Sequence, residues 1–227
     1  MSPRARATRA HSGAHGLHVV VRAIVLYLAS ASRMSAQTTL QELWPELDVF
    51  WKASSTYRFF ALVRVEAVPE LGYSEGTLGI HADYLRLPHG FARIGFREIE
   101  SLTDSSHHEE RALAEATFDT RWGWLELLNR TRVELRWRTD RTVRFRDRVR
   151  VERAVMMPWN EKLTPFVAEE LFYDTGYDGI EENRLQAGAA LGVSPHSAVE
   201  INYLWQVDWS SHVRHVGAVQ IKLQYSY

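Results

Sequence analysis

HVGAVQIKLQYSY, residues 215–227, puts Val219, Ile221, Leu223, Tyr225 and Tyr227 on one parity and Gln220, Lys222, Gln224 and Ser226 on the other. A period of two is the period of a strand, so the segment turns an apolar face and a polar face to opposite sides of a sheet. Its run of alternate apolar positions up to an aromatic residue looks like the C-terminal strand signal that barrel-assembly machinery recognises in outer-membrane proteins. A soluble sandwich built this way would leave Tyr225 and Tyr227 on an exposed edge, whereas a closed barrel has no edge to protect.

The same split recurs upstream. Leu78, Ile80, Ala82 and Tyr84 oppose Thr77, Gly79, His81 and Asp83, and Val199, Ile201, Tyr203 and Trp205 oppose Ala198, Glu200, Asn202 and Gln206. Further strands are predicted near 42–52, 57–67, 91–100, 111–121, 124–137, 141–153, 164–174 and 181–191, each near the length a tilted strand needs to cross hydrocarbon. The fold class is therefore all-β, a single antiparallel transmembrane barrel of about 10–12 strands with a polar, Arg/Glu-lined lumen. The pattern itself counts eleven, while bacterial single-chain barrels carry even numbers, so one strand is expected to be missing or to lie outside the wall. The first is the suspect, because Trp44-Pro45 sits inside it and proline removes a ladder donor.

Tight links at 53–56, 88–90 and 122–123 alternate with longer polar ones at 68–76, 100–110 and 175–181, as for short periplasmic turns and longer outer loops. Two links break the rule: Thr139-Asp140 is short where a loop is expected, and 154–162 is long where a turn is expected. Aromatic residues near strand ends (Trp44, Trp51, Tyr57, Trp122, Trp124, Trp137, Tyr173, Trp205 and Trp209) suit interfacial girdles, although a soluble aromatic core would use the same residues.

The chain has 227 residues, a net charge of -1 and no cysteine. Its mean hydropathy of -0.29 excludes several helical spans but not a barrel, whose strands average apolar and polar faces. The leader is basic through Arg4, Arg6, Arg9 and Arg22, then apolar over 23–31, a run too short to span a bilayer. Residues 1–36 read as a signal peptide cleaved near Ala31 or Ala36, leaving 37–227 as the barrel; a non-exported basic leader or a misplaced start is the alternative. The expected location is the outer membrane of a Gram-negative bacterium. The expected partners are its lipids and lipopolysaccharide, with the assembly machinery during biogenesis. The charge balance gives no reason to expect nucleic acid.

Residues 125–153 are the unusual stretch. Glu126, Arg130, Arg132, Glu134 and Arg136 share one parity of one strand, and Arg144, Arg146, Arg148, Arg150 and Glu152 share one parity of the next. A hairpin brings the two basic rows together, and since an arginine facing mid-membrane lipid costs about 2–4 kcal/mol, both rows should point into the lumen. There they either form ion-pair ladders with Glu126, Glu134, Glu152, Glu169, Glu170 and Glu182, or line a groove that attracts phosphate, carboxylate or lipopolysaccharide groups. Arg184 is assigned to the same lumen.

No catalytic residue, metal ligand or cofactor is assigned. His107-His108-Glu109-Glu110 has the composition of a metal cluster but falls in an expected loop without a second ligand group. His81 and Asp83 share a face, with Ser105 and Ser106 elsewhere, but sequence supplies no triad geometry. No G-x-S-x-G, P-loop or dinucleotide fingerprint is present.

Leu43-Trp44-Pro45-Glu46-Leu47-Asp48, the run Arg144 to Glu152, the run Pro165 to Asp174, Asn183-Arg184-Leu185-Gln186-Ala187-Gly188 and the aromatic terminus together resemble the domain-of-unknown-function 2490 proteins over roughly residues 40–227. The resemblance implies an outer-membrane barrel without an assigned activity and supplies no catalytic residues. Three functions are weighed: a barrel with a structural, binding or limited-permeation role; an outer-membrane enzyme acting on lipid or lipopolysaccharide; and a soluble periplasmic barrel or sandwich binding an apolar ligand. Oligomeric state is left open.

Overall fold

The computed structural model describes residues 39–103, 107–158, 161–209 and 214–227; the leader and Ser105 and Ser106 lie outside the described residues. The strands are β1 (Thr39–Lys52), β2 (Tyr57–Val68), β3 (Tyr73–Leu87), β4 (Gly90–Ser101), β5 (His108–Trp122), β6 (Leu125–Trp137), β7 (Arg141–Glu152), β8 (Val155–Met156), β9 (Lys162–Asp174), β10 (Gly179–Ser194), β11 (Ser197–Asp208) and β12 (Arg214–Ser226). Neighbours in sequence pair antiparallel from β1 to β7, then β7 with β9 and on to β12, and β12 closes on β1. The short β8 pairs with Lys162 and Leu163 at the start of β9, prolonging the line of β7. Eleven strands therefore close one barrel.

The even count expected from sequence does not hold. Each antiparallel step reverses the strand direction, so an odd ring must contain one pair that runs the same way. That pair is β1 with β12, in register from Thr39 opposite His215 to Phe50 opposite Ser226. The suspected first strand is thus a full member of the wall. Proline still leaves its mark: the ladder to β2 skips Trp44 and Pro45, between Leu43 opposite Ala67 and Glu46 opposite Arg64.

Alternation sorts the side chains as the sequence reading expects. Leu47, Val63, Ile80, Ile94, Leu135, Leu171, Ile201 and Ile221 form an outer belt and stay 38–66% exposed. Inside, 25 buried side chains are polar or charged against 12 apolar ones among the described residues, the inverse of a soluble core. Trp51, Tyr57, Trp122, Trp124 and Tyr225 are exposed around one end, and Tyr173, Tyr177 and Trp209 around the other. Trp44 does not join them: its parity turns it inward, where it is buried, with Arg64 and Arg184 over its ring.

One end carries the links 53–56, 88–89, 123–124, 157–161 and 195–196, with the chain terminus beside them, and is called the turn end. The other carries 69–72, 102–107, 138–140, 175–178 and 209–213 and is called the loop end. The loops are shorter than the sequence suggests, because pairing continues into residues polar on both parities. Tyr73 to Glu75 pair with β2, and His108 to Glu110 pair with β4. The long link expected at 154–162 shrinks because Val155 and Met156 remain in the sheet, leaving a turn closed by Met157 N donating to Glu161 O at 2.8 Å.

Candidate functional site

The hairpin of β6 and β7 sets Arg130 opposite Arg148, Arg132 opposite Arg146 and Glu134 opposite Arg144. Like charges facing one another across a pair are destabilising, so acids must stand between them, from the flanking strands and from Glu134 of β6 itself. Glu115 of β5 accepts from Arg132 Nε at 2.7 Å. Glu134 accepts from Arg132 Nη1 at 3.2 Å and Arg146 Nη1 at 2.9 Å. Glu170 of β9 accepts from Arg130 Nη2 at 2.7 Å and Arg146 Nε at 3.1 Å. Four strands are thereby tied into one inward-facing ladder.

The ladder continues to both ends. Towards the loop end Arg136 bridges Glu109 and Asp174, Arg111 and Arg138 also reach Glu109, and Arg144 lies 2.9 Å from Glu181. Towards the turn end Arg93 and Arg58 hold Asp83 at 2.6 and 2.8 Å, and Arg150 joins Glu152 at 2.6 Å and Glu200 at 3.0 Å. On the remaining wall Arg64 pairs with Glu66 at 2.7 Å, Lys222 with Glu46 at 2.8 Å, and Arg184 with Glu182. Outside the strands, burial holds the His107 imidazole below its ordinary pKa against the pull of Glu109, so the loop-end network relies on its arginines.

Of the residues singled out from sequence, Arg130, Arg132, Glu134, Arg144, Arg146, Arg150 and Arg184 meet in this network. Glu126 does not: it sits at the turn end opposite Glu152 and joins none of these pairs. Glu169 is a further correction, since neighbours in a strand face opposite ways; with Glu170 inside, Glu169 points outward and accepts from Asn183 at 3.0 Å. Glu109, expected in a solvated loop, is a wall residue with no exposed surface. His108 instead lies on the outer rim with Glu98 and Glu100, all exposed. His81 and Asp83 do share the interior, but Asp83 is taken by Arg58 and Arg93, and His81 accepts from Arg97 Nε at 3.2 Å. Sequence reasoning missed Arg93, Arg97, Glu115, Asp174, Glu181 and Lys222. The row Phe91, Arg93, Gly95, Arg97 in β4 carried the same period-two signal as β6 and β7, at lower charge density.

Within the barrel lies a cavity of about 180 Å³ whose lining includes nine cationic side chains and three carboxylates, Glu46, Asp48 and Glu170. Seven of the nine have a carboxylate within 4.0 Å. Arg97 and Arg148 have none among the described residues. Arg97 is 6% exposed and has only the neutral acceptor His81, and Arg148 Nε is buried without a partner. A second recess of about 440 Å³ opens at the turn end and shares Phe50, Arg93 and Gln224 with the first. A larger groove of about 800 Å³, around Trp51, Phe59, Ile80, Ile94 and Phe96, is nearly all apolar and belongs to the outer belt.

A family model described as a protein of unknown function (DUF2490) matches residues 36–216, which take in β1 to β11 and the start of β12. The chain belongs to this family. No curated protein matches the DUF2490 chain in sequence. Among solved structures its barrel is similar to LpxR from Salmonella typhimurium, at a TM-score of 0.55 and 7% identity, covering 79% of this chain and 87% of that one. The beta domain of the Bordetella autotransporter BrkA matches at a TM-score of 0.47 and 12% identity, over 78% of this chain and 86% of that one. At such identities the likeness to LpxR speaks for the fold alone.

Proposed function

We propose that this DUF2490 protein is a Gram-negative outer-membrane barrel that binds an oxyanion in its interior and does not serve as an open pore. The membrane reading is supported by the apolar outer belt, by aromatic side chains at both of its margins and by wall strands of 12–16 residues. The tight turns favour a periplasmic turn end.

The observation that carries the binding function is the pair of interior arginines with no carboxylate within 4.0 Å among the described residues. Arg97 and Arg148 converge on one polar cavity from opposite sides of the β5–β6 hairpin. A buried charge is costly unless compensated, and a guanidinium fork matches the oxygens of a phosphate or carboxylate. The cavity holds about six waters' worth of volume at about 30 Å³ per water, room for one such ion. The network around it satisfies most other charges and packs the lumen, which favours binding over permeation.

A hydrolytic role has no comparable support among the described residues. It would need a nucleophile beside a free base, and the interior His81 and Asp83 are both engaged by arginines. The likeness to LpxR brings no residue across.

Titration of the purified, folded barrel with inorganic phosphate tests the proposal. Hydrogen bonds to a charged group contribute about 1.5–3 kcal/mol, so Arg97→Gln and Arg148→Gln should each weaken phosphate binding by about tenfold or more. Absence of phosphate binding, or an affinity indifferent to both substitutions, would refute it. Membrane fractionation with heat-modifiable gel mobility tests the location, and an extractable protein of unchanged mobility would overturn that part.

A further inference from the structure

We infer that the interior site is a well that, among the described residues, opens at the turn end and is shaped for a phosphate monoester with a small organic body. This rests on the oxyanion reading above and adds the side of access and the class of ligand.

The side of access follows from where the lumen is packed. Of the eight large side chains most completely withdrawn from solvent, Phe172, Ile99, Leu204, Glu109, Glu134, Val216 and Asp174 lie in the halves of their strands nearer the loop end, and only Asp83 lies towards the turn end. Ion pairs across the loop-end half reach beyond neighbouring strands, from Arg136 on β6 to Asp174 on β9 and from Arg144 on β7 to Glu181 on β10. At the turn end one such pair, Arg150 on β7 with Glu200 on β11 at 3.0 Å, also crosses the interior, and the open space lies beside Phe50, Arg93 and Gln224. The recess there runs from the exposed β10–β11 turn down to Phe50, Arg93 and Gln224, which also line the central cavity.

The ligand class follows from charge and shape. Two guanidiniums without a carboxylate within 4.0 Å match a phosphate monoester, which carries about -1.5 to -2 at neutral pH, better than a single carboxylate. The central cavity has room for the phosphoryl head and little else, so whatever is attached to it must occupy the mouth. The mouth offers the rings of Phe50 and Phe91 beside the hydroxyls of Ser194, Ser197 and Ser226 and the amide of Gln224, a lining suited to a small ring bearing hydroxyls or none.

The test compares inorganic phosphate, phenyl phosphate, glucose 6-phosphate and a short-chain phosphatidic acid by titration of the folded barrel. At least one ester should bind tenfold or more tightly than inorganic phosphate. A gain for the soluble esters assigns a soluble ligand, and a gain confined to phosphatidic acid assigns a lipid head group. The chain has no cysteine, so a thiol can be introduced at one position and modified after folding. A bulky methanethiosulfonate on Ala198→Cys, in the mouth, should abolish the ester's advantage, while the same label on Asp140→Cys, in the loop-end link, should leave binding unchanged. Equal affinities for inorganic phosphate and every ester, or loss of binding on labelling at position 140 alone, would overturn the inference while leaving the oxyanion site standing. Failure of inorganic phosphate itself to bind would instead remove the reading beneath it.

Discussion

Glu170→Gln is the substitution for which the structure gives the sharpest expectation. Glu170 is 3% exposed, accepts from Arg130 at 2.7 Å and from Arg146 at 3.1 Å, and stands opposite Arg148 in the register of β7 and β9. Glutamine keeps the shape and removes the charge, leaving buried guanidiniums uncompensated. Breaking one partner of a buried pair costs about 3–5 kcal/mol. At about 2–4 °C per kcal/mol for a domain of this size, the unfolding midpoint should fall by about 6–20 °C. The folded fraction is read from heat-modifiable gel mobility across a temperature series. Because the lost carboxylate lines the cavity, phosphate should restore part of the loss, about 2.7 kcal/mol at a hundredfold excess over its dissociation constant. Glu169→Gln is the control: it changes the same charge one residue away, on the outer face, and should shift stability by about 0.5 kcal/mol or less. Equal shifts for the two substitutions would show that the interior ladder is not what holds this barrel, and no rescue of Glu170→Gln by phosphate would count against the oxyanion site.

Three further outcomes are expected. Ile80→Arg places a charge on the outer belt at a position 64% exposed, and in lipid vesicles it should cost about 2–4 kcal/mol by urea titration; no loss would argue that this face does not meet lipid. Gly95→Ala would drive its methyl into the ring of His81, costing about 1–3 kcal/mol, and adding His81→Ala should recover part of that loss; additive losses would mean the clash is not the cause. In planar bilayers the unaltered barrel should show no steady open-pore conductance, because its loop-end half is filled; sustained ohmic conductance would contradict the packed lumen.

The barrel class, the inward rows of arginine and nearly every strand were legible in sequence because alternation is a local property. Once a segment is extended, successive side chains must face opposite ways, and a charged row beside an apolar row leaves only one arrangement that avoids charge in an apolar belt. The same rule could have excluded Glu169 from the lumen once Glu170 was placed there. It also explains why loop lengths were overestimated: at Tyr73 to Glu75 and His108 to Glu110 both parities are polar, so the pattern fades although hydrogen bonding continues.

Closure is not local. The parallel seam of β1 and β12, the place of β1 as a full wall strand, and the reach of Arg144 to Glu181 depend on how many strands complete the ring and how it curves. The C-terminal alternation of residues 215–227 determined that Gln220 and Lys222 face away from Ile221 and Leu223. Only the tertiary structure decided that Lys222 meets Glu46 across the seam while Arg97 and Arg148 have no carboxylate within 4.0 Å among the described residues. A sequence fixes which side of the wall each charge must take, but which charges neutralise one another is set by distances across a closed lumen.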